Sequence, residues 1–163
     1  LQNFNRPTSG VIAPMDLNKA IDDMLVFCKK SFEEKNIVVK KNYLTNLPQI
    51  AAVGDQIKQV ILNCLQNAAE AIDDDQGMIL ISTDREMDTV NLYIKDTGKG
   101  IEQEELVSIF EPFFSTKPGV EGTGLGLSVT YGIMKRHNGS IKVVETSEKG
   151  TTFKITLPVK VAN

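Results

Sequence analysis

Three short patches, in fixed order along the chain, hold residue types that could bind a nucleotide. Asn63 and Asn67 lie four apart in an apolar helical stretch, Asp96-Thr97-Gly98-Lys99-Gly100 follows a strand pattern, and Gly122-Thr123-Gly124-Leu125-Gly126-Leu127 opens a second helix. An amide oxygen suits magnesium, which prefers hard oxygen ligands, keeps several waters and takes one or two protein groups alongside substrate phosphates. An ionised carboxylate only accepts hydrogen bonds, which matches the exocyclic amine of adenine. Glycines at a helix start let free N–H groups and the positive end of the dipole meet phosphate oxygens.

Each patch alone has a blander reading. Residues four apart share a helix face, so the two asparagines could face solvent or cap a loop, with Asn67 at the margin of the buried stripe beside Cys64 and Ala68. Asp96-Thr97-Gly98 could simply end a strand in a turn. The glycine run is not a Walker A loop, because the Lys-Ser/Thr ending is absent, and not the dinucleotide fingerprint, whose third glycine falls at Val129. Taken together they describe a pocket for a purine triphosphate and magnesium, with Asn67 as direct ligand and Asn63 in support through water or phosphate.

The elements that must position these residues follow from periodicity. Asp16 caps a helix whose apolar positions Leu17, Ile21, Met24, Leu25, Cys28 and Phe32 recur at three- and four-residue steps, ending near Asn36. Ile37–Val39 and Tyr43-Leu44 read as strand, Leu47–Val53 as a short extended piece, and Asp55 as the cap of the asparagine-bearing helix. Strands are expected over Met78–Arg85 and Thr89–Lys95, the second alternating Val90, Leu92 and Ile94 against a wet face of Asn91, Tyr93 and Lys95. After a charged helical turn at Glu102–Ile109 comes an aromatic, proline-containing loop reaching Gly122, whose place between two glycine motifs favours a lid. In it Phe110, Phe113 and Phe114 flank Pro112, and Lys117 is positioned to neutralise a triphosphate, with a solvated surface lysine as the alternative. A helix from Leu125 to His137 stops at Asn138-Gly139, and Ser140–Glu145 and Thr151–Pro158 close the chain as strands. The fold class is α+β: a two-layer sandwich with a mixed, mainly antiparallel sheet covered on one face by about three helices.

Composition excludes several classes. A chain of 163 residues buries roughly two thirds of its unfolded surface in one domain without staples. A net charge of −3 offers no broad basic field, so nucleic acid is not expected as a partner. No run approaches the roughly 20 apolar residues of a spanning helix. Cys28 and Cys64 fall among apolar helix positions, as buried inert thiols do. The chain opens on Leu1, and Leu1–Pro7 reads like the last helical turn of something longer, so a fragment of a larger protein is expected.

With these patches the chain resembles the catalytic, ATP-binding domain of a bacterial sensor histidine kinase, within the wider class of gyrase, Hsp90 and MutL. The resemblance runs from about Asp55 to Pro158: the N box around Asn63 and Asn67, the G1 box at Asp96–Gly100, the F box at Phe110–Phe114 and the G2 box at Gly122–Leu127. Asn67-Ala-Ala-Glu-Ala-Ile72 and Phe113-Phe-Ser-Thr-Lys117 are especially similar to the nitrogen-regulation-type subgroup. It implies the Bergerat-type version of this sandwich, over residues 16–163, with residues 1–15 as the end of a dimerisation helix and its linker.

By resemblance, Asn67 would bind magnesium and Asp96 the adenine amine. Gly98 and Gly100 would surround the base, Gly124–Leu127 would meet the phosphates, and a threonine of the last strand, Thr152, would lie near the base; Asn63, Ile101, Gly122 and Thr123 are further expected nucleotide-binding residues. Many sister kinases carry a Lys three residues after the magnesium Asn; Glu70 stands there, which makes Lys117 the phosphate contact to expect.

Gyrase-like ATPases place a glutamate base four residues before that Asn. Asn63 stands there, and an amide takes no proton at neutral pH, so no catalytic base is assigned. The only histidine, His137, ends a helix beside a glycine stop and reads as a capping or surface residue. The implied protein is therefore an ATP-dependent protein-histidine kinase whose acceptor histidine lies elsewhere. It uses Mg2+ and ATP, with its own dimerisation and phosphoacceptor domain and a response regulator as partners in two-component signal transduction. The fragment is expected to be monomeric, the full-length protein homodimeric, and the location cytoplasmic, with an anchor in the bacterial inner membrane left open. The alternatives are an anti-sigma-factor-type serine kinase and a regulatory module that holds nucleotide and transfers nothing.

Overall fold

The computed structural model describes residues 10–73, 76–111 and 126–159. Its elements run β1 (Ala13–Met15), α1 (Leu17–Glu34), β2 (Ile37–Asn42), β3 (Ile50–Ala52), α2 (Gly54–Ala71), β4 (Gly77–Glu86), β5 (Thr89–Asp96), a 3-10 turn (Gln103–Glu105), α3 (Gly126–Arg136), β6 (Ser140–Ser147) and β7 (Gly150–Pro158). Five strands form one sheet in the order β2-β4-β5-β7-β6, with β2 parallel to β4 and the other pairs antiparallel; β1 and β3 pair separately. The expected α+β sandwich is therefore present, with three helices among the described residues.

The apolar periodicities explain how the layers meet. Asp16 caps α1 by accepting from Lys19 N at 3.1 Å, and Leu17, Ala20, Ile21, Met24, Cys28 and Phe32 face inward from it. The stripe of α2, from Ile57 through Ile61 to Ala68, packs on a sheet face built from Ile79, Ile81, Leu92, Ile94, Phe153, Ile155 and Leu157. Both cysteines are free and buried, and burial alone pushes their thiols up to about 11 for Cys28 and about 12 for Cys64, which leaves them inert.

Several boundaries differ from expectation. Val53, not Asp55, is the N-cap of α2, and no side chain caps it. Asp55 falls in the first turn with its Oδ2 buried and unpartnered, so its carboxylate is not spent on the helix N–H groups. Strand β2 continues through Lys40 and Lys41 to Asn42, because parallel pairing with β4 holds from Ile37↔Gly77 to Asn42↔Ser82 whatever the side-chain polarity. Tyr43 lies past its end, bonded through its hydroxyl to Asp22 at 2.8 Å. Asn91, expected on a wet face, is 1% exposed: its amide donates to Asp84 Oδ1 and Glu86 Oε1 and accepts from the Thr156 hydroxyl. The charged turn after Gly100 is a single 3-10 turn closed by a capping box between Glu102 and Glu105. Residues 1–9, Pro112, Phe113, Phe114, Lys117 and the rest of the expected lid lie outside the described residues.

Ile61 is fully buried at the middle of α2, between helix layer and sheet. Ile61→Ala should lower the unfolding free energy by about 2–5 kcal/mol, read from urea denaturation; a loss under 1 kcal/mol would show that the seam repacks.

Candidate functional site

Strand β5 ends in the middle of the sheet at Asp96, in register with Thr151 of β7. The side chain is 2% exposed. Its Oδ1 accepts from Gly98 N at 2.8 Å and Thr151 N at 3.3 Å, while Oδ2 makes no hydrogen bond among the described residues. Burial pushes the pKa up, and the two backbone N–H groups pull part of the way back. A buried carboxylate with one oxygen unspent is best matched by a neutral donor that excludes water, which the amine edge of a purine provides.

The loop after Asp96 is held from three sides. Thr97 exchanges hydrogen bonds with Met78 at the start of β4, its N–H reaching Met78 O and its hydroxyl accepting from Met78 N. Gly98 passes so close to the end of α2 that a Cβ there would lie 2.5 Å from Ala71 O, and Lys99 N donates to that same carbonyl at 3.0 Å. Gly100 turns the chain at φ +84° against Ser147, and Ile101 N then donates to the Thr146 hydroxyl at 2.9 Å. Thr146 in turn meets the Thr151 hydroxyl at 2.8 Å. Hydrogen bonds and close packing thus link Asp96, Gly98, Gly100 and Ile101 along one edge.

Helix α2 joins that edge to the start of α3. The Asn63 amide nitrogen donates to Gly126 O at 3.1 Å and to the Thr130 hydroxyl at 3.2 Å, and its oxygen accepts from Gln59 Nε2 at 2.9 Å. Eight residues on, Ala71 holds the Asp96 loop. Asn67 stands midway, about 6 Å of helix rise from each, half-buried and with no side-chain hydrogen bond among the described residues. Its free amide oxygen on the shared face meets what a magnesium ligand requires. Gly126 is exposed at the start of α3 and Leu127 is half-buried behind it. Gly122, Thr123, Gly124, Leu125 and Lys117 lie outside the described residues, and Glu70 is exposed. Phe110 packs locally, stacked on Tyr131 at 5.6 Å and edge-on to Phe153 at 6.4 Å.

Two expected positions shift. Thr152 pairs with Lys95, so it lies on the sheet face turned away from Asp96; Thr151 is the threonine beside the carboxylate. The two-residue alternation along β7, combined with the Asp96 position at the end of β5, was the available signal for Thr151. Thr146 and Thr130 carried no such signal, because the residues they meet at the site, Ile101 and Asn63, are remote in sequence. His137 does end α3 as a cap, but it is buried, 8% exposed. Its Nε2 accepts from Val53 N at 3.1 Å and its Nδ1 lies 2.9 Å from Ile133 O, so both ring nitrogens are engaged by backbone.

Three helices on a mixed five-stranded sheet form the fold of an ATPase-type domain. The chain belongs to the family described as histidine kinase-, DNA gyrase B-, and HSP90-like ATPase, whose model matches residues 52–161. It is 36% identical over 156 residues to the sensor histidine kinase ZraS of Escherichia coli (strain K12), covering 96% of this chain and 33% of that protein, so the chain spans about a third of such a relative. Among solved structures it is similar to the nucleotide-free catalytic domain of histidine kinase ThkA, with TM-score 0.81, 32% identity and coverage of 91% of this chain and 95% of that one. It is likewise similar to ThkA in complex with the response regulator TrrA, with TM-score 0.78, 29% identity and coverage of 91% and 42%.

The raised pKa of Asp96 has a consequence that can be measured without ligand. As pH falls, the folded protein takes up this proton before the unfolded chain, whose carboxyl titrates near the ordinary 3.8 of an aspartate. That contribution favours the fold fully below 3.8 and is lost as pH rises through the raised folded value. Wild type should therefore gain stability relative to Asp96→Asn between about pH 7 and about pH 4 in paired urea titrations, and a constant difference would mean that Asp96 titrates as an exposed carboxylate.

Proposed function

We propose that this domain binds Mg-ATP and donates the γ-phosphoryl group to a histidine on a separate dimerisation domain, the first step of a two-component relay. One observation carries the reading: at one-turn steps along a single helix face, α2 touches the start of α3 at Asn63, leaves Asn67 without a hydrogen-bond partner among the described residues, and touches the Asp96 loop at Ala71. The base would sit against Asp96, Thr151, Gly98, Gly100 and Ile101, and the triphosphate would lie along α2 toward Gly126 and Leu127. Lys117 and the Gly122–Leu125 run would complete the phosphate contacts.

Asn67 would hold magnesium, which when bound neutralises and orients the phosphates. The chain's own contribution is then position: a fixed base, a phosphate chain aligned along α2, and a γ-phosphorus presented to an external imidazole. A histidine is a competent nucleophile, so no base is required of this domain. The names of ZraS and ThkA favour histidine as acceptor over a serine-kinase or non-catalytic reading, and the ThkA–TrrA complex supports a response regulator as the downstream partner. We place the domain in the cytoplasm, within a full-length homodimer. An inner-membrane anchor would have to come from other segments, since among the described residues no helix is long and apolar enough to cross a membrane.

Two experiments test this. Mixed with the dimerisation domain of a close relative and γ-labelled ATP, the chain should yield acid-labile, base-stable phosphohistidine; its absence under conditions where the relative's own catalytic domain transfers would overturn the kinase reading. Asn67→Ala should abolish magnesium-dependent ATP binding in calorimetry with an unchanged circular dichroism spectrum, and an unaltered affinity would remove Asn67 from the metal site.

A further inference from the structure

We infer that His137 is a positioning residue for the phosphate end of the site, setting the height of α3 along α2. The inference rests on the nucleotide reading above. Two polar ties between α2 and α3 lie among the described residues. One lies at the start of α3, where Asn63 donates to Gly126 O and the Thr130 hydroxyl. The other lies just past its end, where the His137 ring bridges the two helices: Nε2 accepts the N–H of Val53 at 3.1 Å, while Nδ1 stands 2.9 Å from Ile133 O within α3.

Geometry makes the second tie specific. Val53 is the N-cap of α2 and is 8% exposed, and a buried N–H needs an acceptor, which the imidazole supplies. Accepting at Nε2 and donating from Nδ1–H requires the neutral tautomer protonated on Nδ1. Along the seam, Ile133 and Met134 are buried and apolar. Apolar contact sets how closely two helices approach but is non-directional, so it permits sliding, whereas hydrogen bonds have preferred distances and angles. Two ties at opposite ends of α3 therefore fix its register.

That register matters because the two helices carry different parts of the pocket. Asn67 is on α2 and the phosphate-facing N–H groups open α3, so a slip of α3 changes their separation. The adenine edge is anchored independently, by Met78, Ala71, Thr146 and Thr151, none of which belongs to α3. Val53 and Asn67 are fourteen residues apart on α2, about 21 Å of helix, so His137 acts on the phosphate end without touching nucleotide. Losing its tie should weaken binding of the triphosphate and spare the nucleoside.

The test compares the chain with His137→Leu and His137→Gln, measuring adenosine and Mg-ATP affinity by competition against a fluorescent ATP analogue. Loss of a buried hydrogen bond shifts an equilibrium about fivefold or more. His137→Leu is expected to weaken ATP by at least that factor while adenosine stays within about twofold. His137→Gln, whose amide can accept from Val53 and donate to Ile133, should recover most of the loss. If His137→Leu does not fold, His137→Asn, which withdraws the acceptor from Val53 but keeps a donor near Ile133, takes its place. Equal weakening of adenosine and ATP would reduce His137 to a structural residue and overturn the inference, as would wild-type ATP affinity in the leucine or asparagine variant. Failure of wild type itself to bind ATP would overturn the nucleotide reading and this inference with it.

Discussion

A carboxylate at the end of a central strand, almost wholly out of water, is the constraint around which this domain is arranged. Asp96 has two hydrogen bonds from backbone N–H groups to one oxygen and none among the described residues to the other. Burying such a group costs free energy unless it is paired, so its surroundings must compensate. They do so with backbone rather than cationic side chains: Gly98 and Thr151 supply the N–H donors, and no salt bridge to Asp96 is present among the described residues. A cation there would satisfy the carboxylate fully and leave nothing for a ligand. Two N–H donors hold it in place and leave acceptor capacity unspent.

The same demand reaches α2. The loop that brings Gly98 N to Asp96 is pressed against Ala71 with no room for a side chain, and Lys99 is bonded to the same carbonyl, so the end of α2 walls the Asp96 loop. The apolar stripe that sinks α2 into the sheet also fixes where Asn67 and Asn63 emerge, since side chains four residues apart share a face. Core packing and ligand geometry are therefore one problem here. Displacing α2 from the sheet would move Asn67, the Asp96 loop and the start of α3 together.

Much of this was legible in sequence, because the governing signals are local. Asp16 capped as expected, the stripes of α1 and α2 were buried as the three- and four-residue steps required, and Asp96, Gly98 and Gly100 met at one loop. What was not legible depends on partners far along the chain. Strand β2 ran past its apolar residues because β4 pairs with it in parallel, and Asn91 was covered because Asp84, Glu86 and Thr156 close over it. The threonine beside Asp96 was misplaced by one residue, and with a period of two that error selects the opposite face. His137 was read correctly as a helix end, but its burial against Val53, 84 residues away, has no sequence signature.

Under the proposed function, position 63 would suit this pocket to transfer rather than hydrolysis. A glutamate there would combine two capacities: accepting a proton from water, and keeping that water near the γ-phosphate. Asn63 has neither capacity to spare. Its amide cannot be protonated at neutral pH, and both of its N–H groups are committed to Gly126 and Thr130, so the residue is used to hold the helix start in place. On that reading, with no base to activate water, bound ATP would be kept for a nucleophile that needs no activation. An imidazole delivered from another domain meets that condition, whereas the chain's own histidine, buried with both ring nitrogens engaged by backbone, does not. The residue that replaces the base and the residue that fails as acceptor thus perform related structural tasks, tying the two ends of α3 to α2.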